Sequence, residues 1–423
     1  MRKPIHWLMG CLLLAGGCQV AKLTPDIIVA ADGSGQFTTV QKAVESIPKD
    51  NRQRIVILIK DGVYHEKLRI DPSFVTLRGQ SWGGTRIEFA VFTDDFPKKP
   101  DNLGRAVVNI NGSDTVLDNL TVKNTANIIG PHEMALYGTS DRVVTTDCDL
   151  LSEGADTVSL WGKDGRYYQA RCNMRGAVDF VCPRGWCYIV DSQFYETKDT
   201  AAIWHDGSRN KDMKFVLRDC QFDGIQGWHL ARHHADAQFF LLDCTFSNTL
   251  SDHPPRRVIY PLDATQPTAA DIQNNKRLDP LNIWGERDYY EDCHRVGGDY
   301  PWFVDNLSTA PGAPSADQIT ARWTFADKWD PENKAGPTIR QVQKHDRQIA
   351  VTFTEDVTVK GKPNLILGDG TSCPYAAGSG TAMLDFDLGS GAAGDVKSID
   401  LNGGAIIACQ ASAFERHAEL ALP

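Results

Sequence analysis

Two aspartates, Asp156 and Asp179, stand 23 residues apart in the stretch EGADTVSLWGKDGRYYQARCNMRGAVDFVCPR, Glu153 to Arg184, and each is followed by strand-like sequence. Two carboxylates brought close together cannot both ionise freely. One pKa rises while the other group keeps its charge, so two residues of one type become an acid and a nucleophile. A random pair at this spacing is more often two solvated loop aspartates. The chemistry therefore depends on whether the fold stacks them.

The chain repeats itself at about this interval. Short segments recur with a polar or sulfur residue at one phase and an apolar residue two places on: Val122-Lys123-Asn124, Asp147-Cys148-Asp149-Leu150, Arg171-Cys172-Asn173-Met174, Asp191-Ser192-Gln193-Phe194, Asp219-Cys220-Gln221-Phe222 and Asp243-Cys244-Thr245-Phe246. From Asn124 the steps are 24, 24, 20, 28 and 24 residues. A period in this range signals stacked repeats, and alternation of period two makes each repeat a set of strands. No helical pattern separates the units. The expected fold is all-β, a right-handed parallel β-helix with one coil per repeat and Asn124, Cys148, Cys172, Ser192, Cys220 and Cys244 stacked as an inner ladder. Asp156 and Asp179 then fall at nearly the same phase of adjacent coils, about 4.8 Å apart at the backbone.

Composition narrows the partners. A net charge of −10 over 423 residues argues against nucleic acid, and an anionic substrate would need a local basic patch. Arg2 and Lys3 precede an apolar run from Ile5 to Ala15 that is too short to span a bilayer and is laid out as a signal peptide. Leu14-Ala15-Gly16-Gly17-Cys18 resembles a bacterial lipobox. Cys18 is therefore the expected lipidated residue, with plain cleavage as the alternative, and a lipid anchor is the expected membrane contact. The expected location is that of an exported bacterial protein: an outer-membrane lipoprotein, periplasmic or at the cell surface. The chain is expected to act as a monomer. Nine of the 11 cysteines lie beyond the leader, so at least one thiol is unpaired. Cys148 with Cys172, or Cys220 with Cys244, lies within disulfide reach across coils; packing as small apolar groups is the alternative.

The mature chain opens with Asp32-Gly33-Ser34-Gly35-Gln36-Phe37-Thr38-Thr39-Val40 and an amphipathic segment, Val40 to Ile47, expected to close the open end of the solenoid. Gly62-Val63-Tyr64-His65-Glu66 follows. With Gly154-Ala155-Asp156-Thr157, Gly176-Ala177-Val178-Asp179-Phe180 and Leu230-Ala231-Arg232, these motifs resemble the pectin methylesterase (pectinesterase) family over roughly residues 26 to 310. The resemblance implies a parallel β-helix and an esterase acting on pectic polysaccharide, that is methylated galacturonan, without a cofactor or metal. Residue by residue it implies Asp179 as nucleophile, Asp156 as acid and then base, and Arg232 as the partner that holds Asp179 ionised. Tyr168, Phe180 and Trp204 are candidates for stacking on sugar rings, with core packing as the alternative for each. His229 and His233 are four residues apart, but they run into the strand-like Gln238 to Leu242, so no helical metal site is expected. With Arg232, they and His234 are expected to form the basic patch.

The chain departs from the family at its oxyanion site. Ala155 and His132 stand where the family has glutamines, His233-His234 follows the arginine where it has Pro-Trp, and Val181-Cys182-Pro183 follows Phe180. His132 is the remaining candidate donor to an oxyanion. Two other classes stay open: a polyuronate lyase, which would need clustered carboxylates for calcium, and a non-catalytic polyuronate-binding protein. An esterase for a branched or otherwise atypical pectic substrate is a further alternative.

The expected organisation is a leader over 1–18, the β-helix over 24–310, a linker and capping helix over 311–335 and an Ig-like β-sandwich over 336–423. Ala316 to Trp329 has helical spacing and is expected to pack on the barrel end. Short apolar strands between Gly-rich turns mark the sandwich, where Cys373 and Cys409 are placed to bridge and a spacer or adhesion role is expected.

Overall fold

The computed structural model describes residues 24–207, 210–262, 265–282, 284, 287–310, 312–389 and 394–423. The leader and Cys18 lie outside the described residues. Three parallel sheets run along a right-handed β-helix. The first has ten strands, from Ile27–Val29 to Arg287–Glu291. The second has nine, from Gly62–Tyr64 to His294–Arg295. The third is interrupted: four strands (Leu68–Ile70 to Val158–Leu160) and three strands (Ala201–His205 to Arg256–Arg257) are joined only by single bridges from Val181 to Val158 and Ile203. The interruption falls on the coil that carries Asp179.

The sequence repeat has a local cause. Between the first and second sheets the chain turns through one residue of positive φ, at Asn119, Asp147, Arg171, Asp191, Asp219, Asp243 and Asp292, with values between 49° and 60°. Asn and Asp tolerate this left-handed conformation better than most side chains, which explains the recurring Asp before the ladder. The next residue points inward. In register, the stack is Leu120, Cys148, Cys172, Ser192, Cys220, Cys244 and Cys293.

Two corrections follow. Asn124 does not belong to the ladder. It ends the strand Thr121–Asn124, and its buried amide holds the Val91 main chain through bonds of 3.0 and 2.8 Å. Leu120 takes its place, because an apolar side chain fills the same inner position. The nine cysteines among the described residues are also free thiols. Those of Cys148, Cys172, Cys220 and Cys244 donate to main-chain carbonyls at 3.2–3.4 Å and are not bridged.

Two positions beyond the ladder, Phe194, Phe222 and Phe246 stack inside the helix with centroids 4.3 and 5.5 Å apart. Each buried ring contributes about 2–3 kcal/mol. At the N-terminal end the helix Val40–Glu45 buries Val40, Ala43 and Val44 over the open coil. The Glu66 carboxylate accepts from the main-chain N–H groups of Val40 and Gln41 at 2.8 and 3.0 Å. Two of the amides that every helix start leaves unpaired are thereby satisfied, which gives a structural task to the last residue of the Gly62–Glu66 motif.

Residues 316–329 do not cover the barrel end. They form two short helices, Ala316–Gln318 and Ala321–Thr324. Ile319, Phe325 and Trp329 lie instead on the outer face of the first sheet against Val144, Tyr168, Tyr188 and Phe240. Those outward positions are apolar and need cover. The end itself is closed by Phe303, which packs on Phe246 and Tyr290.

The C-terminal strands, from Ile339–His345 to Ala405–Ala408, are antiparallel and pack around Val351, Phe353, Leu365, Leu384 and Phe386, as a β-sandwich does. They dock on the helix through the buried Arg54, which donates to the carbonyls of Asp114 and Cys409 at 2.6 Å each. Cys373 and Cys409 do not bridge. Cys409 faces this docking surface, with its sulfur 3.1 Å from the Thr358 hydroxyl.

Candidate active site

Asp156 and Asp179 each follow a strand of the second sheet, Asp149–Ala155 and Asn173–Ala177. The Asp156 N–H donates to the Val178 carbonyl at 3.3 Å, so the two turns stack on adjacent coils. Both aspartates have positive φ, 59° and 57°, and so does Val178 at 42°. A β-branched residue in that region is strained, at a cost of about 1–3 kcal/mol. The turn is over-determined by its surroundings. A side chain at Gly176 would collide with the Thr157 hydroxyl and the Phe180 Cβ, and the Asp179 N–H is bonded to the Ala201 carbonyl at 2.6 Å.

Arg232, on the strand His229–His233, grips Asp179 with a fork: Nε donates to Oδ1 at 2.8 Å and Nη2 to Oδ2 at 2.8 Å. Burial pushes both aspartates up. Asp156 rises to about 7, through desolvation and the charge on Asp179, with His132 pulling the other way. Asp179 also rises through burial, but the Arg232 hydrogen bonds and charge oppose that rise. The proton shared by the pair therefore rests on Asp156 and the charge on Asp179. Glu196 is wholly buried nearby. Burial pushes its carboxyl up to about 9, so it adds no second negative charge at neutral pH.

His132 reaches the same place from a neighbouring loop, bridged to Ala155. Its Nε2 is 3.8 Å from Asp156 Oδ2, and its Nδ1 is 2.8 Å from Asp94 Oδ1. With Nδ1–H donating to Asp94, Nε2 has a proton to give only when the imidazole is doubly protonated. Asp94 was not visible to sequence reasoning, because it lies 38 residues upstream of His132 with no motif around it.

These groups open into a cleft of about 270 Å³ that Trp161, Arg184, Trp204, Asp206, His234, Val258, Tyr260 and Leu262 also line. Trp204 stands beside the Arg232 guanidinium, 5.6 Å from ring to carbon. Three sequence expectations move away from the cleft. Tyr168 lies on the outer face of the first sheet and donates to Glu332 at 2.9 Å. Phe180 is fully buried inside the helix against Phe194. His233 is buried on the inner face of its strand, its Nδ1 2.6 Å from the Ala235 carbonyl and its ring near Phe239. Strand alternation explains His233, since a residue next to the outward-facing Arg232 points inward; Phe180 lies in the bend beyond the strand Asn173–Ala177, where two successive residues of positive φ, Val178 and Asp179, break the alternation. The histidine patch is also not basic: burial pushes His229 and His234 down to about 4, so both are neutral at pH 7.

Trp161, Arg184 and Asp206 were missed although the signal that found the aspartates would have found them. Trp161 and Arg184 each stand five residues beyond their aspartate, and Asp206 and His234 occupy the same phase on the next two coils. They form a ladder on one wall of the cleft.

The Pectinesterase family model matches residues 26–203, a segment that holds both aspartates and His132 and ends before Arg232. The resemblance to the pectinesterase family is thus shown for that segment. A pectinesterase of Petunia integrifolia is 30% identical over 169 residues, covering 40% of this chain and 44% of that protein. The chain spans about half the length of the curated relatives it matches, or less. Among solved structures, the pectin methylesterase PemA from Erwinia chrysanthemi aligns with a TM-score of 0.57 at 19% identity, covering 73% of this chain and 99% of that one. A pectin methylesterase in complex with a hexasaccharide aligns with a TM-score of 0.56 at 18% identity, covering 74% and 100%. At these identities the structural likeness is one of fold.

Proposed function

We propose that the chain is a pectin methylesterase that hydrolyses methyl esters of galacturonate residues through an aspartyl acyl-enzyme. The observation that carries this reading is the stacked aspartate pair: the Arg232 fork grips Asp179, while burial pushes the adjacent Asp156, which lacks such a fork, up to about 7. Asp179 attacks the ester carbonyl carbon. The C–OCH3 bond breaks as Asp156 gives its proton to the departing oxygen, so methanol leaves and a mixed anhydride remains. Asp156, now a carboxylate, takes a proton from water as its oxygen attacks the galacturonyl carbon. The anhydride breaks, the galacturonic acid leaves, and Asp179 and Asp156 return to their starting forms. Incubation of the full chain with methylated oligogalacturonide tests the reading. Methanol release without absorbance from new double bonds is expected, and absence of methanol at any pH would sink it.

The protonation state of Asp156 sets the pH response. Its raised pKa means that the acid needed for the first step is present below about pH 7 and lost above it. kcat/KM is therefore expected to fall at least about tenfold per pH unit on the alkaline side of pH 7. A profile flat to pH 9 would show that Asp156 is not the acid.

The reading extends to location. The leader Arg2 to Cys18 supports export and lipidation of Cys18, with the protein acting as a monomer at a bacterial outer membrane or surface. Cys18→Ala is expected to move the protein from the membrane to the soluble fraction. A soluble wild type, or an unmoved variant, contradicts the anchor.

A further inference from the structure

The third sheet carries a second guanidinium beyond the one that grips Asp179. Arg256 follows Arg232 in register on the next coil. Partners in a parallel ladder project from the same face, so the two arginines lie about 4.8 Å apart at the backbone. Like charges on neighbouring strands repel. Arg257 is neutralised by Asp279, whereas Arg256 forms no ion pair among the described residues. Burial and the charge on Arg232 push the Arg256 guanidinium down, and the charge on Asp179 opposes them. The same force acts in reverse on Asp179. Burial raises its carboxyl, and Arg256 joins the bonds and charge of Arg232 in resisting that rise.

His229 holds Arg256 in this place. Arg256 Nη1 donates to His229 Nδ1 at 3.0 Å. The bond needs an imidazole with a free lone pair, and His229, pushed down to about 4 by burial, supplies one at neutral pH. Its proton then sits on Nε2, 3.6 Å from Asp199 Oδ1. Neither Arg256 nor His229 is among the residues that line the cleft.

The groups that act on Asp179 from the packed coils are Asp156, Cys182, Glu196, Tyr260, His132 and the two arginines. Burial raises Asp156 to about 7 and Glu196 to about 9, and it raises the Cys182 thiol and the Tyr260 phenol as well, so these four are held toward their neutral forms. Positive charge comes from Arg232, Arg256 and His132 alone.

We propose that Arg256 is a positioning residue that acts through Asp179: a second guanidinium, set one coil beyond Arg232 and anchored by His229, that keeps the Asp179 carboxylate charged without a bond to it. The proposal rests on the pectin methylesterase reading for the task of Asp179.

NMR of the full chain, isotope-labelled at the aspartate carboxyl carbons, tests this, with the Asp179 resonance assigned by its loss in Asp179→Asn. Arg256→Gln is expected to raise the pH at which Asp179 takes up its proton by about one unit. Arg256→Lys keeps the charge and is expected to leave that midpoint nearly in place. The sign follows from the charge: a carboxylate that loses a nearby cation binds its proton more tightly, and its charged form disappears earlier as pH falls. kcat/KM of Arg256→Gln is therefore expected to fall about tenfold below the wild-type midpoint and no more than about twofold well above the shifted one. His229→Leu frees the guanidinium and is expected to move the midpoint in the same direction by less. An unmoved midpoint in Arg256→Gln with an equal loss of rate at every pH makes Arg256 merely structural and overturns the proposal. So does Arg256→Lys behaving like Arg256→Gln. Should Arg256→Gln not fold, Arg256→Met, which keeps the apolar stem, carries the same test. A midpoint that moves in a chain releasing no methanol overturns the esterase reading alone, and methanol release with an unmoved midpoint overturns the Arg256 assignment alone.

Discussion

Asp179→Asn is expected to reduce methanol release by on the order of 10⁴ or more while the coil keeps its shape. The substitution removes the attacking oxygen's charge and changes almost nothing in volume. The amide oxygen still accepts one bond from Arg232, and the strained turn is held mainly by main-chain contacts: the Asp179 N–H to Ala201, the Asp156 N–H to Val178, and the close packing at Gly176. A modest fall in melting temperature is expected, because the Arg232 guanidinium loses its carboxylate partner in a largely buried place. The measurement is initial-rate methanol release beside circular dichroism and thermal unfolding of the same sample. Turnover within tenfold of wild type in a folded variant would remove Asp179 as nucleophile.

His132→Ala is expected to lower kcat by about 10²–10³ with KM changed only a few-fold. The attack of Asp179 puts negative charge on the substrate carbonyl oxygen. His132 Nε2, 3.8 Å from Asp156, is placed to meet that charge, provided the imidazole carries both protons. Asp94, 2.8 Å from Nδ1, fixes the orientation of the ring. Asp94→Asn should therefore reproduce part of the loss, about tenfold. The decisive measurement is the combination. In a His132→Gln background the amide donates without any partner carboxylate, so activity should recover toward wild type and Asp94→Asn should then cost nothing further. An Asp94 effect that persists there would assign Asp94 a merely structural role, and an unaltered rate in His132→Ala would end the oxyanion assignment of His132.

The places where the sequence misled share one cause. Period and phase say which coil and which corner a residue occupies, and they led to the stacking of Asp156 on Asp179. They say less about which way a side chain faces after an irregular step. Tyr168, Phe180 and His233 were drawn to the cleft by neighbourhood in sequence, yet strand alternation turned His233 inward, the positive-φ turn at Val178 and Asp179 left Phe180 inside the helix, and Tyr168 sits on the outer wall under residues 316–329. Asn124 looked like a rung because its spacing was right, although the rung is Leu120 and Asn124 holds the Val91 loop.

The sequence by itself determined the coil. Each repeat carries its own corner residue, its own inward apolar positions and its own strand alternation, and these are local properties that need nothing distant to be legible. The same locality brought the two aspartates to one phase. Only the tertiary structure decided the electrostatics of the cleft. Asp94 meets His132 across 38 residues and Arg184 meets Asp206 on the adjacent coil, while the pairing of Arg232 with Asp179, 53 residues apart, was legible only through the family resemblance. Those pairings, together with the burial that raises Asp156 to about 7 and neutralises His234, depend on how deeply each group is desolvated and on which charge lies within a few ångströms. Neither quantity is written in spacing, because both are set by the stacking of whole coils.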